Sequence, residues 1–178
     1  KIVGFAVTVK VAAAGLTPSK QHLGIDAIEA ANPGDVIVID NAGRKDVSCW
    51  GEILSVGAKK KGVAGVVVDG AFRDLDAIKQ VGFPVYARGV VPVTARGRIM
   101  QEAFNVMIQC GGVQVRPGDL VIGDDNGVVV VPYEKVDDVL KVALELYERE
   151  CRIIEEIQSG LSISEVDKKF RYEEMLRR

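Results

Sequence analysis

One run of three β-branched residues, Val66-Val67-Val68, constrains this chain more than any other stretch. It closes an apolar segment over residues 63–68, is short, and has glycine on either side, as a strand buried on both faces does. Residues 51–61 before it have helical character. After it, Asp69-Gly70 reads as a tight turn, and Arg73-Asp74 follows. In α/β proteins, charged residues just past the carboxyl end of a buried strand are where chemistry is usually placed. The Gly51 turn, opening a helix whose first N–H groups lack partners, is a seat for a carboxylate. Arg73 offers a planar fork to a carboxylate or enolate oxygen, and Asp74 a hard oxygen to a divalent ion. An ordinary surface ion pair after a core strand has the same spacing.

The same alternation extends on both sides. Strands are expected over residues 2–11, 36–39 and 83–87, with helices over 23–31 and 74–81, and a helix start at Thr17-Pro18-Ser19. Residues 40–43 read as a loop. Strand–helix alternation on this scale argues for α/β layering with parallel strand pairs. The second half changes character. Short β runs over 104–110, 113–115, 120–122 and 128–131 are punctuated by Gly111-Gly112, Pro117-Gly118-Asp119 and Asn126-Gly127, which predicts a compact layer of hairpins. Residues 133–158 carry apolar positions at helical spacing and predict one long amphipathic helix. The domain is therefore expected over 1–160, with 161–178 as a helical appendage capped near Ser164-Glu165.

Composition removes several function classes. At 178 residues, with 48% hydrophobic and 27% charged residues, the chain is globular, and a net charge of −2 gives no reason to expect nucleic acid. The only histidine, His22, reads as a surface residue, so a Ser-His-Asp triad, a Cys-His pair and a histidine-rich zinc site are disfavoured. Any metal would then need oxygen ligands, favouring Mg²⁺ or Mn²⁺. Cys49, Cys110 and Cys151 are far apart and form no C-x-x-C, which suggests free thiols and a reduced, cytoplasmic setting. No apolar run is long enough to span a bilayer. Lys59-Lys60-Lys61 sits at a helix end, a poor place for a Schiff-base lysine, and no G-x-G-x-x-G turn supports a methyltransferase.

Several motifs in one order carry a resemblance. Pro33-Gly34-Asp35-Val36, Trp50-Gly51-Glu52-Ile53-Leu54, Val68-Asp69-Gly70-Ala71-Phe72-Arg73-Asp74, Gly82-Phe83-Pro84-Val85-Tyr86-Ala87-Arg88-Gly89, Pro117-Gly118-Asp119-Leu120 and the run from Asp124 to Pro132 resemble the RraA-like family. That family includes 4-hydroxy-4-methyl-2-oxoglutarate aldolases, related oxaloacetate decarboxylases and the regulator of ribonuclease E activity. The resemblance implies an α/β fold: a three-layer β/β/α swivelling domain of the phosphohistidine type, with a long C-terminal helix, assembled as a homotrimer or hexamer. It implies a metal-dependent lyase that releases pyruvate from a small 2-oxo acid, or a regulatory protein that has kept the fold without catalysis.

Residue by residue, the backbone amides of Gly51, Glu52, Ile53 and Leu54 would hold the pyruvyl carboxylate. Arg73 would contact that group and the 2-oxo oxygen, and Asp74 would ligate Mg²⁺ (or Mn²⁺). Glu52 would hold metal-bound water, and Glu150 of a neighbouring subunit would reach the same waters. Three departures stand out. Ala77 occupies a position where members often have an acid, Gly15-Leu16-Thr17 replaces a more usual Gly-Asp-Asn, and the several tens of residues that precede the first strand in members have no counterpart, so the chain is expected to be a fragment.

Overall fold

The computed structural model describes residues 1–16 and 22–171. Thr17-Pro18-Ser19 and residues 172–178 lie outside the described residues. The chain forms two compact units, Lys1–Tyr133 and Glu134–Arg178.

In the first unit the expected alternation holds: β1 (Ile2–Ala13), α1 (Ile25–Ala30), β2 (Val36–Ser48), α2 (Glu52–Lys61), β3 (Gly65–Phe72), α3 (Leu75–Val81) and β4 (Val85–Val90). Strands β1 to β4 pair in parallel, in the order β4-β3-β2-β1. All eight residues of β3 are buried, as its β-branched run requires. Side chains alternate between two apolar faces. Ile37, Ile39, Val66 and Val68 share a core with Ala27, Ile28, Leu54, Ala58 and Ile78 of the helices. Val36, Val38 and Val67 share the other with Ile108 and Val115. A sheet apolar on both sides must be covered on both sides, which makes three layers out of one sheet.

The second cover is small. It is the antiparallel hairpin of β6 (Ile108–Cys110) and β7 (Val113–Val115). The Gly111 N–H donates to Asp69 Oδ2 at 2.9 Å, and the buried Asp69 is also ion-paired to Arg88. The other strands of the second half join the main sheet instead of forming a separate layer. Strand β1 is long enough for one edge to take two partners, β8 (Leu120–Asp124) along Ile2–Phe5 and β5 (Ile99–Phe104) along Val9–Ala13. β9 (Gly127–Val131) then pairs with β8 across the Asn126-Gly127 turn. Residues 104–110, read as one strand, split between β5 and β6: Asn105 takes a φ of 51°, and Thr8 binds both the Asn105 N–H and the Val106 carbonyl.

Two local readings are corrected. Residues 40–43 are not a free loop; β2 runs on to Ser48, bulged twice, with Ala42 at φ 53° and Gly43 at φ 70°. Asp69-Gly70 is not a turn but the middle of β3. Gly70 is required there by close approach, because a Cβ on it would lie 2.7 Å from Asn41 Nδ2 and 2.9 Å from the Arg44 carbonyl oxygen.

The second unit is α4 (Val136–Gln158) and α5 (Ile163–Phe170). Ile153 of α4 and Val166 of α5 bury each other with Leu146, Leu161 and Phe170. That shared core places α4 with the C-terminal segment in the second compact unit, which begins at Glu134. The cap of α5 is Ser162, not Ser164: its hydroxyl accepts from the Glu165 N–H while the Glu165 carboxylate takes the Ser162 N–H.

Gly70→Ala is expected to destabilise the protein by about 1–3 kcal/mol through overpacking. Gly57→Ala, mid-helix with nothing within 4 Å of the new Cβ, is expected to stabilise it by about 0.5–1 kcal/mol. Urea unfolding of the two variants should shift the midpoint in opposite directions.

Candidate active site

The carboxyl ends of β2 and β3 leave the sheet side by side, and backbone hydrogen bonds tie the exits together. The Cys49 N–H donates to the Ala71 carbonyl at 3.0 Å, and the Arg73 N–H donates to the Trp50 carbonyl at 3.0 Å. Trp50 anchors the turn between β2 and α2. Its buried indole stacks on Phe83 with centroids 6.2 Å apart, and Nε1 donates to Ser55 Oγ at 2.8 Å. Ser55 Oγ donates in turn to the Gly51 carbonyl at 3.0 Å, so the turn cannot shift without unpairing a buried indole N–H.

Gly51 is extended, at φ −163°, a conformation any residue adopts. Space, not backbone freedom, calls for glycine: a Cβ would lie 2.7 Å from Asp74 Oδ2 and 3.3 Å from Arg73 Nε. Asp74 itself is left-handed, at φ 63° and ψ 39°, a conformation that costs a non-glycine residue on the order of 1 kcal/mol. In that conformation its Oδ2 accepts the Glu52 N–H at 3.1 Å and stands 3.5 Å from Arg73 Nε. None of the described residues hydrogen-bonds Asp74 Oδ1.

The first intrahelical bond of α2 is from the Ser55 N–H to the Gly51 carbonyl, at 3.1 Å, leaving the N–H groups of Glu52, Ile53 and Leu54 without helical partners. Glu52's is taken by Asp74, so Ile53 and Leu54 are the donors left at this positive helix end. Gly51, Arg73, Asp74 and the first turn of α2 line one cavity of about 400 Å³, within the range of small-molecule sites. Its remaining wall is mainly apolar, from Leu23, Ile25 and Ile28.

Among the described residues there is no group of three or more His, Cys, Asp or Glu side chains able to cage a metal. What is present is one carboxylate, Asp74, and a second on Glu52, the residue whose N–H Asp74 accepts. That donor set fits a hard ion such as Mg²⁺, which keeps several waters and takes one or two carboxylates plus substrate oxygens.

The sequence-expected residues Gly51, Glu52, Ile53, Leu54, Arg73 and Asp74 thus meet at one cavity. Glu150 is an exposed residue of α4, in the second unit. His22 is exposed, as expected, but it also lines the cavity, with Nδ1 3.0 Å from the Leu23 carbonyl oxygen. Thr94 and Arg96 line it too and escaped the sequence reading. Their segment has no helical or strand period, and the signal available was only the basic cluster Arg96-Gly97-Arg98. Cys49 lines the cavity but is 2% exposed, and burial pushes its thiol up to about 12, which leaves it neutral and unreactive at ordinary pH.

A family model described as RraA-like, Aldolase/RraA, matches residues 1–130. The chain belongs to the RraA-like family. A relative from Halalkalibacterium halodurans, named "Putative 4-hydroxy-4-methyl-2-oxoglutarate aldolase", is 42% identical over 80% of this chain and 65% of its own length. A crystal structure of a Pseudomonas syringae pv. tomato protein described as uncharacterized superposes with a TM-score of 0.86 and 32% identity, over 94% of this chain and 75% of that one. A Streptomyces coelicolor structure, described as an unusual member of the RNase ES inhibitor RraA protein family, gives a TM-score of 0.75 and 32% identity, over 85% and 76%. The chain spans from 28% to 65% of the length of three curated relatives that it matches. The three-layer α/β architecture is that of an RraA-like fold, and no helix among the described residues is long and apolar enough to cross a membrane.

Ser55→Ala is expected to lower stability by about 1–3 kcal/mol by orphaning the Trp50 indole N–H. Iodoacetamide at pH 8 should leave Cys49 unmodified in the folded protein and label it only after unfolding, as read by mass spectrometry of tryptic peptides.

Proposed function

We propose that the chain is a divalent-metal-dependent lyase that cleaves 4-hydroxy-4-carboxy-2-oxo acids by retro-aldol chemistry, or decarboxylates oxaloacetate, to give pyruvate. The observation that carries this reading is the convergence of the Arg73 guanidinium, the Asp74 carboxylate and the free first-turn amides of α2 on one cavity. The aldolase name of a 42% identical relative supports it.

Both reactions share one obstacle, the electron pair left on C3 of a 2-oxo acid when the bond to C4 breaks. That pair delocalises onto the 2-oxo oxygen, so the protein must hold an oxygen on which negative charge grows. The amides of Gly51, Ile53 and Leu54 receive the C1 carboxylate at the positive end of α2 and fix the orientation of the 2-oxo group. Arg73 brings a permanent positive charge to the 2-oxo oxygen, and Asp74, 3.5 Å from Arg73 Nε, orients that guanidinium. Asp74 would hold Mg²⁺ (or Mn²⁺) directly and Glu52 through water; bound there, the ion would supply Lewis-acid polarisation of the 2-oxo group. Glu52's committed N–H keeps its first turn next to Asp74. In this reading Glu150 of a neighbouring copy would hold water bound to the ion, in a homotrimer or hexamer. The setting is cytoplasmic, which suits the three free cysteines Cys49, Cys110 and Cys151.

A coupled lactate dehydrogenase assay tests it. Wild type with Mg²⁺ should release pyruvate from oxaloacetate or 4-hydroxy-4-methyl-2-oxoglutarate well above the metal-only rate. Asp74→Ala should abolish the metal dependence. Arg73→Ala should lower kcat/KM on the order of a hundredfold to a thousandfold. Absence of pyruvate with every such substrate would leave the regulatory reading, a non-catalytic binding protein, which the similarity to the Streptomyces coelicolor protein favours.

A further inference from the structure

The segment joining β4 to β5, residues 91–98, hangs over the cavity from the same two strands that build its floor. The Val91 N–H donates to the Phe72 carbonyl at 2.9 Å, one residue before Arg73. The Val93 carbonyl accepts from both the N–H and the Oγ of Ser48, at 2.9 and 2.6 Å, three residues before Gly51. Beyond these anchors the loop is closed on itself. The Arg98 and Ile99 N–H groups return to the Ala95 carbonyl, and Arg98 Nη1 donates to the carbonyls of Thr94 and Arg96. The neighbouring wall is tied in as well. Gln101 accepts the Gly24 N–H at 3.0 Å and donates to Asp26 Oδ2 at 2.6 Å, joining β5 to α1.

This framework presents Arg96 to the cavity. Arg73, Arg88 and Arg116 each pair with an aspartate, whereas Arg96 has no ion pair among the described residues. Outside the Glu52–Asp74 pair, the one acid among the described lining residues is Glu29, carried by α1. A guanidinium on a braced loop, with an apolar wall and no protein carboxylate to neutralise it, suits a ligand that brings its own second anion.

We propose that Arg96 selects the substrate: it receives the distal carboxylate of a 2-oxo diacid whose 2-oxo-acid head lies at Gly51 and Arg73. The assignment rests on the lyase reading only for the placement of that head. It predicts that diacids are preferred over 2-oxo acids of equal length that end in a methyl group, and that Arg96 sets the preference.

Calorimetric binding to the full chain in Mg²⁺ tests it with 2-oxoglutarate and 2-oxopentanoate, two probes of the same length. Wild type should bind 2-oxoglutarate on the order of tenfold to a hundredfold more tightly, the range of a hydrogen-bonded charge pair. Arg96→Gln should bring the ratio of the two Kd values to within about threefold of one, and Arg96→Lys should restore part of it. Circular dichroism identifies any variant that fails to fold; a folded Glu29→Gln should keep a ratio at least as large as that of wild type. Equal affinity of wild type for the two acids, or an undiminished ratio in folded Arg96→Gln, would overturn the proposal. A preserved, Arg96-dependent ratio in a protein that releases no pyruvate would uphold this site and remove the lyase reading instead.

Discussion

The carboxylate of Asp74 reaching back to the first turn of α2 is the joint on which the site depends. Its Oδ2 takes the Glu52 N–H and lies so close to Gly51 that no side chain fits between them. The joint does not stabilise itself. Its ion pair with Arg73 is partly exposed, with side chains 40% and 36% accessible, and such pairs contribute at most about 1 kcal/mol. The left-handed backbone at Asp74 costs about as much. What holds it is the buried framework underneath: Trp50 stacked on Phe83, the indole–Ser55–Gly51 relay, and β3 buried along its whole length. The core supports a strained joint, and the joint returns little to the core.

Exposed apolar side chains also line the cavity. Ile53, 83% accessible, is carried at the mouth of the cavity by the turn of helix whose amides face inward. On the opposite face of the sheet, the buried Asp69 shows polar burial put to a structural use. Paired with Arg88 and bonded to the Gly111 amide, it fastens the β6–β7 hairpin over the second core. Cys110, in that hairpin, is pushed up to about 12 by burial and by the neighbouring Asp69 and Asp40 carboxylates. Two aspartates of one chain thus serve different ends, one closing a layer and one opening a site.

Much of this was legible in order along the chain. The parallel strands around Val36–Ile39 and Val66–Val68, the helix after Gly51, the Asn126-Gly127 hairpin and the charged pair after β3 all follow from period, β-branching and turn chemistry within windows of a dozen residues. The misreadings share one cause. Gly70 looks like a turn residue because glycine usually is one, but here it makes room for Asn41 and Arg44 from the adjacent strand. The stretch from residue 40 looks like a loop because it is polar, yet β2 crosses it with two bulges. Ser164 looks like a cap, but Ser162 has the glutamate three residues on.

By itself the sequence determined which strands are buried on both faces, and that Arg73-Asp74 stands at the end of one of them, because those properties are written in neighbouring residues. Tertiary structure alone decided that Asp74 binds an amide 22 positions away, that Ser48 holds Val93 from a separation of 45, and that α4 shares its core with α5. Such contacts depend on which chain ends the sheet brings together, and a local pattern carries no record of that. Arg96 entered the site by that route: only the folded strands place its loop above the cavity.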